Sequence, residues 1–186
     1  MGFLSPRQLR KLDFAFLGEN VLISNKCSIY SPNTLKIGDN SRIDDFCVLS
    51  GNIAIGRNVH VAVFSNLAAG NSSITLHDFV GLAFGCHVIA QSDDYSGSTM
   101  TNPTVPSEFK RETSRAISIG RHTILGTGSI VLPGVSIPEG VSSGANTLFR
   151  ENPEPWSIYV GSPARRIKQR SQDLLLLENE YLKKQS

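Results

Sequence analysis

Aliphatic residues recur along this chain at every sixth position, a spacing that fits neither an α-helix nor an alternating β-strand. The series is interrupted once by three extra residues and once by a longer insertion, and a shorter series precedes it. Its members are Leu17, Ile23 and Ile29, then Ile37, Ile43, Leu49, Ile55, Val61 and Leu67, then Leu76, Leu82 and Val88, and finally Ile119, Leu125, Val131 and Ile137. A repeat sustained over so much of the chain predicts a solenoid.

The residue four places after each aliphatic position is mostly small or β-branched, and the residue directly after it is often glycine. The small positions are Cys27, Ser41, Cys47, Val59, Ser65, Val80, Cys86, Thr123, Ser129, Val135 and Val141. A unit of this length is one short strand plus one tight corner, so three units predict a triangular coil, and stacked coils pair their strands in parallel. We therefore predict an all-β solenoid, a parallel β-helix. All three cysteines fall on inward small positions and are predicted to be core residues.

Short helices are predicted on both sides of the solenoid. Ser5 followed by Pro6 is typical of a capped helix start, and residues 172–184 carry an apolar stripe of leucines and Tyr181 among Glu and Lys. Both helices are expected to cover the ends of the solenoid. The predicted segments are an N-terminal helix and cap (1–16), the first coils (17–92), an acceptor loop (93–116), the last coils (117–160), and a C-terminal turn and helix (161–186).

The composition of the chain restricts its functional classes. A net charge of +2 is too small to favour nucleic acid, and basic residues cluster visibly only near the C-terminus. No apolar stretch has the length of a signal peptide or a transmembrane helix, so we expect a cytoplasmic protein with no membrane span. Three cysteines without a Cys-x-x-Cys pair indicate neither a disulfide framework nor a zinc site.

Two segments resemble the hexapeptide-repeat acyltransferases, and the resemblance covers nearly the whole chain. They are Ile119-Gly-Arg-His-Thr-Ile-Leu-Gly-Thr-Gly-Ser-Ile-Val-Leu-Pro-Gly-Val and Pro155-Trp-Ser-Ile-Tyr-Val-Gly-Ser-Pro-Ala-Arg-Arg-Ile, in which Ser162 replaces the asparagine of the family's closing motif. The resemblance implies a left-handed parallel β-helix, although crossover connections are normally right-handed. It also implies an acyl-CoA donor, a homotrimer, and active sites between subunits.

Within that family, Ser92-Asp-Asp-Tyr-Ser-Gly and Met100-Thr-Asn-Pro-Thr-Val-Pro resemble the N-acyltransferases of nucleotide-linked amino-deoxy sugars. Such enzymes act, for example, on a dTDP-4-amino-4,6-dideoxyhexose destined for surface glycans such as lipopolysaccharide. The galactoside and maltose O-acetyltransferases have a histidine where this chain has Asp93 and Asp94, so the departure favours an amine acceptor. A galactoside or polysaccharide O-acetyltransferase is the alternative enzyme. A scaffold without activity is a third alternative, against which the intact Gly-Ser-Pro-Ala ending and the long loop argue.

Asp94 is the first candidate for a catalytic group and Asp93 the second. A sugar amine requires a carboxylate that holds the ammonium and accepts its proton, whereas a hydroxyl acceptor requires a true general base, usually histidine. The two aspartates lie where the chain leaves the solenoid, a common place for a functional site. The alternative interpretation is that they form a turn. A turn needs only one aspartate, and two adjacent carboxylates repel each other, so a functional role is favoured. Asp44 and Asp45 lie inside a repeat and are predicted to be solvated corner residues.

His60 and His87 are further catalytic candidates, since both occupy the last place of a six-residue unit and are expected to project outward from two different corners. His60 resembles a Val-His-hydrophobic step of the sugar N-acyltransferases and therefore ranks first. A polar surface or interface residue is the alternative for either. His77 and His122 are predicted surface residues. The histidine spacing differs from that of the zinc carbonic-anhydrase branch of this fold, so no metal is expected.

Coenzyme A is assigned to the last coils and the basic segment behind them. Glycines there are expected to leave backbone N–H groups accessible to the pantetheine arm, and basic side chains are expected to meet the phosphates. The candidates are Gly126, Gly128, Gly144, Ala145, Arg165, Arg166 and Lys168. The alternatives are corner glycines that the fold requires and a basic helix start in solvent. Trp156 is expected to pack under the last coil.

Overall fold

A computed structural model describes residues 2–184, so Met1, Gln185 and Ser186 at the ends of the first and last predicted segments lie outside the described residues. The chain winds into a left-handed parallel β-helix with a helix near each end, α1 (Pro6–Lys11) and α2 (Leu174–Lys183). The predicted all-β solenoid with short terminal helices is confirmed. Within the described part of the chain, no helix is long and apolar enough to cross a membrane.

The coils place their short strands on three faces, numbered here in chain order. The first face contains Phe16–Leu17, Leu35–Ile37, Ile117–Ile119 and Ser136–Ile137. The second face contains Leu22–Ile23, Arg42–Ile43, His60–Val61, Gly81–Leu82, Ile124–Leu125, Ser142–Ser143 and Ser157–Val160. The third face contains Ser28–Tyr30, His87–Ile89, Ile130–Val131 and Leu148–Phe149. Two long strands, Val48–Ile55 and Asn66–Leu76, begin on the third face and bend onto the first.

The predicted inward residues fill the interior. From Ile37 to Ile137 every predicted aliphatic position is at most 4% exposed, while Leu17 and Ile29 in the first coil are partly buried. Every predicted small position is also buried except Cys27, which is partly buried. Burying one such aliphatic side chain contributes about 1.5–3 kcal/mol to stability, so the repeat is held by the core rather than by the corners.

Helix α1 begins where its capping residues predict. The Ser5 side chain accepts from the backbone N–H of Gln8, the Gln8 side chain accepts from the backbone N–H of Ser5, and Pro6 occupies the first helical position. Leu9 is the residue of this helix that is buried, and it joins the core of the solenoid. The helix therefore covers the first coil, as predicted.

The corner between the first and second faces holds a column of residues with a left-handed backbone conformation. These are Asn20, Asn40, Asn58, Phe79, His122, Gly140 and Trp156, whose φ angles lie between 51° and 73°. Asparagine and glycine tolerate this conformation, and the bulky residues are stabilised by their neighbours in the column. The rings of Phe79 and His122 stack with centroids 5.1 Å apart, and a Cβ atom at Gly140 would lie 2.3 Å from the Trp156 ring. Trp156 packs under the last coils, as expected.

Helix α2 lies against this column, along the side of the middle coils and not over the end of the solenoid as predicted. It also buries His122, so the prediction of a surface histidine is wrong. Glu178 is 6% exposed, forms an ion pair with Arg121, and accepts from His122 Nε2 at 2.9 Å. Asn58 Nδ2 donates to the hydroxyl of Tyr181 at 2.8 Å. The repeat cannot show which outward residues a returning C-terminal helix will cover.

The basic segment after the Gly-Ser-Pro-Ala turn is a strand and not the helix start that was the alternative. Arg165–Gln169 pairs antiparallel with Ser157–Val160 at the edge of the second face. Every residue of this edge strand is exposed. The strand closes the last coil before the chain turns back to α2.

We predict that none of the three cysteine thiols reacts with a thiol reagent in the native protein. Burial raises the pKa of Cys27 to about 12 and those of Cys47 and Cys86 to about 11, so the reactive thiolate is scarce at neutral pH. Labelling followed by mass spectrometry should find no modified thiol before denaturant is added and three afterwards. Rapid native labelling of Cys47 or Cys86 would contradict the register of the coils.

Candidate functional site

The predicted acceptor loop projects from the corner between the third and first faces and is closed at its base. Gln91–Ser92 pairs antiparallel with Thr113–Ser114. The side chain of Gln91 adds two bonds there, because its Oε1 accepts from the Asn71 N–H at 2.6 Å and its Nε2 donates to Glu112 at 2.9 Å. The loop is thus a structured excursion from a rigid scaffold, the setting in which sites are commonly built.

Asp94 organises the beginning of this loop. Its Oδ1 accepts from the backbone N–H of Ser96 at 2.8 Å, and its Oδ2 accepts from the hydroxyls of Ser98 and Thr99 at 3.3 and 3.1 Å. These bonds, with those of Ser96 first, lower the pKa of Asp94 to about 2. A carboxylate with such a pKa remains ionised and attracts a cation, but it is a weak base. Asp94 therefore forms the turn of the alternative interpretation, and its carboxylate remains negatively charged.

Asp93 is held less tightly than Asp94. Its Oδ1 accepts from the backbone N–H of Asn102 at 3.4 Å, the long end of hydrogen-bond distances. The side chain is partly exposed, as is that of Asp94. The ranking of Asp94 before Asp93 stays a prediction.

Asp44 and Asp45 are not the solvated corner residues that the sequence predicted. The Asp44 side chain is 5% exposed, and its two oxygens accept from Arg42 Nε at 2.6 Å and from His60 Nε2 at 2.8 Å. Asp45 is partly buried, accepts from the Ser24 hydroxyl, and pairs with Lys26 at 3.4 Å. The prediction is wrong because neighbouring coils supply partners for both carboxylates. Arg42 and His60 hold the same place in successive coils, a spacing that is visible in the sequence and would have revealed the Asp44 cluster.

The two candidate histidines lie on different faces, His60 on the second and His87 on the third, as expected from their different units. Both project outward, but they stand within strands and not at the corners that the sequence predicted. His60 is half exposed and joined to Asp44, whereas His87 is partly exposed. In one chain the candidate groups thus occupy the second face, the third face and the loop.

The glycines of the last coils do not offer the accessible backbone N–H groups that were expected. Their three N–H groups donate within the solenoid, Gly126 to Ser143 Oγ at 3.1 Å, Gly128 to the Phe84 carbonyl at 2.8 Å and Gly144 to the Tyr159 carbonyl at 2.9 Å. A Cβ atom at Gly126 would lie 2.5 Å from the backbone of Gly144, and Gly128 has a φ of 70°. The fold requires these glycines. A ligand that lies along them would contact backbone atoms and no side chains. Ala145, beside Gly144, is exposed.

Arg165, the first residue of the last strand, and Arg150 help to line a cavity of about 160 Å³. Arg166 is occupied, since its Nε lies 3.0 Å from Glu154 and also donates to the Ser157 hydroxyl. Arg165 and Lys168 extend from the same exposed strand. An anionic ligand would meet Arg165 and Lys168 before it met Arg166. Within residues 2–184 no group of three or more His, Cys, Asp and Glu side chains is placed to hold a metal ion.

Comparison with known proteins finds similarity along almost the whole chain. The chain is 41% identical over 184 residues to a dTDP-4-amino-4,6-dideoxy-D-glucose acyltransferase of Escherichia coli, which covers 97% of this chain and 95% of that protein. The fold superposes with a TM-score of 0.97 and 42% identity on AntD, an N-acyltransferase from Bacillus cereus solved with dTDP and 3-hydroxybutyryl-CoA, over 100% of this chain and 99% of that one. An AntD variant solved with dTDP-4-amino-4,6-dideoxyglucose and coenzyme A has the same TM-score and 43% identity, over 98% of each chain. No family model matches the sequence.

Proposed function

Because this chain belongs to the family of the dTDP-4-amino-4,6-dideoxy-D-glucose acyltransferases, we propose that it transfers an acyl group from acyl-CoA to the amino group of a dTDP-linked 4-amino-4,6-dideoxy sugar. The observation that carries this proposal is the agreement of sequence and fold over nearly the full length with AntD, which binds such a sugar together with coenzyme A. The loop of the chain, with two carboxylates where the O-acetyltransferases have a histidine, supports an amine acceptor over a hydroxyl. The acylated sugar nucleotide is a precursor of the kind used to build surface glycans.

The reaction removes two protons from the acceptor nitrogen. An amino group of pKa about 8 is largely an ammonium at neutral pH and must lose a proton before it can attack. Its nitrogen then attacks the thioester carbonyl, a C–N bond forms, and the C–S bond breaks as the coenzyme leaves. The second proton of the nitrogen passes to the leaving sulfur, so the products are an amide, free coenzyme A and the first proton, which is released to solvent.

The carboxylates of the loop and the histidine of the second face can take different roles in the reaction. Asp94 has the permanently ionised carboxylate that can hold the ammonium, and its low pKa makes it a poor proton acceptor. His60 is the half-exposed imidazole that can accept the proton, with Asp93 and His87 as the secondary candidates. Since these groups lie on separate parts of one chain, we assign each site to the loop of one subunit and the second face of the next.

For the donor, we assign the pantetheine arm to the side-chain-free surface along Gly126, Gly128, Gly144 and Ala145. The phosphates then lie towards Arg165 and Lys168, with Arg166 held back by Glu154. Guanidinium and ammonium groups on an exposed strand can reach phosphate oxygens at little conformational cost. The cytoplasm is the compartment proposed for the reaction, because both activated substrates are made there.

The function is tested by incubating the protein with acetyl-CoA and dTDP-4-amino-4,6-dideoxyglucose while thiol release and the mass of the sugar nucleotide are followed. We expect thiol release matched by one acyl group added to the sugar nucleotide. A parallel reaction with maltose or a galactoside, which offers only hydroxyls, should release no thiol above the rate without acceptor. Release with the hydroxyl acceptor alone would assign the chain to the O-acetyltransferases.

Asp94→Asn should lower kcat/KM for the amino sugar by about 100-fold, the upper range for the loss of a hydrogen bond between charged groups. Asparagine keeps the shape of the side chain and can still accept from Ser96, so the loss reports the charge. Asp93→Asn is the matched control and should lose less, with His60→Asn between the two. Steady-state kinetics and melting temperatures of all three variants provide the measurement. Near-full activity of Asp94→Asn together with loss in His60→Asn or His87→Asn would contradict the role of the carboxylate.

The homotrimer is supported by an aromatic column at the corner between the second and third faces. Phe46, Phe64 and Phe84 are 49%, 61% and 58% exposed in successive coils, and the first two rings stack with centroids 5.2 Å apart. Exposed apolar surface that continues over several coils favours burial against another copy.

Light scattering should therefore give about 60 kDa, three times the 20.2 kDa chain. Phe64→Asp should reduce that mass by placing a charge in the contact, while Phe16→Asp, an equally exposed aromatic on the first face, should leave it unchanged. A single-chain mass for the unsubstituted protein would contradict the assembly.

A further inference from the structure

The second face holds a histidine whose ring is fixed by a buried carboxylate beside an opening in the surface. His60 pairs with Arg42 in the coil before it and with Gly81 in the coil after it, and Ile124 follows Gly81. Gly81 has open space around it, since a Cβ atom there would meet only Ile124, at 3.6 Å. The missing side chain leaves a notch between His60 and Ile124. A glycine within a strand often marks a place where a ligand or another backbone comes close.

The bond to Asp44 determines which nitrogen of His60 carries the proton. A carboxylate only accepts hydrogen bonds, so Nε2 of His60 must donate to Asp44 Oδ2. In the neutral ring Nδ1 is then unprotonated, and it lies on the far side of the imidazole from Asp44. Arg42 donates to the other carboxylate oxygen and prevents Asp44 from turning away.

The coil itself does not require an aspartate at this place. Equivalent positions in successive coils hold Ser24, Asp44, Ala62 and Ala83. The backbone N–H of each donates to the carbonyl oxygen of the inward residue in the next coil. A small or uncharged residue therefore satisfies the fold. A buried carboxylate is costly unless partners compensate it, so its presence here calls for an explanation outside the packing of the coil.

We infer that Asp44 is a positioning residue of the acyl transfer and acts through His60. It holds the imidazole with Nδ1 beside the Gly81 notch, where Nδ1 takes a proton from the acceptor nitrogen as the C–N bond forms. The imidazolium keeps its Nε2–H bond to Asp44 and then gives the Nδ1 proton to the sulfur of the leaving coenzyme, which restores the neutral ring. This inference rests on the proposed function for the identity of the nitrogen.

The test is a double-mutant cycle between positions 44 and 60, with kcat and KM measured separately. Asp44→Asn should lower kcat by about 10-fold or more and leave KM for acyl-CoA unchanged, because asparagine offers one acceptor oxygen to the two donors, Arg42 Nε–H and His60 Nε2–H, and holds the imidazole less firmly. In the His60→Asn background the same substitution should cause no further loss. Asp45→Asn is the matched control, since this adjacent carboxylate bonds Ser24 and Lys26 instead, and it should keep full kcat.

Asp44→Ser, which copies the residue of the preceding coil at this place, provides a second variant should asparagine disturb folding. The inference is overturned if both variants keep full kcat, or if the loss is as large without His60 as with it. It is also overturned if Asp45→Asn loses as much kcat. The cycle is run with whichever acceptor the unsubstituted protein turns over, so a protein that never acylates the amine counts against the proposed function, while the coupling of positions 44 and 60 decides the inference.

Discussion

The interior of a triangular coil has room for one aliphatic side chain on each face, and this packing determines the position of every other residue. Ile43, Val61 and Leu82 stack inside the second face, so the residues that precede them stack outside it as Arg42, His60 and Gly81. The outward row that contains His60 is thus a consequence of the core. A shift of one residue in the coil that contains His60 and Val61 would bury His60 and expose Val61. The coil would then lose the apolar burial that stabilises it.

A scaffold with this rigidity leaves little of the chain for chemistry. The core uses the inward positions, and hydrogen bonds within the solenoid use the backbone N–H groups, including those of Gly126, Gly128 and Gly144. What remains is the outer surface of each face, the corners, and the loop around Asp94. The corner residues Phe79 and His122 serve to dock α2. The proposed site uses two of these remaining parts, the outer surface of the second face and the loop.

The sequence predicts what depends on the repeat and misses what depends on contacts between distant segments. The buried aliphatic positions, the inward cysteines and the start of α1 follow from local spacing and were all predictable. The burial of His122 depends on Glu178, which belongs to α2 near the other end of the chain. The six-residue repeat does not predict this contact. The Asp44 error has a different cause. Arg42 and His60 stand one coil apart, so the repeat places both beside Asp44, whereas the unit that contains Asp44 shows only a polar corner residue.

The central claim is that each site combines the Asp94 loop of one subunit with the His60 face of the next. Two inactive variants, Asp94→Asn and His60→Asn, can be produced together with different affinity tags and the mixed trimers isolated. In every mixed trimer one site of the three pairs an intact loop with an intact face, so the isolated mixed trimers should recover about a third of the unsubstituted activity. Activity that stays at the level of the separate variants would show that both groups act from one chain and would contradict the account.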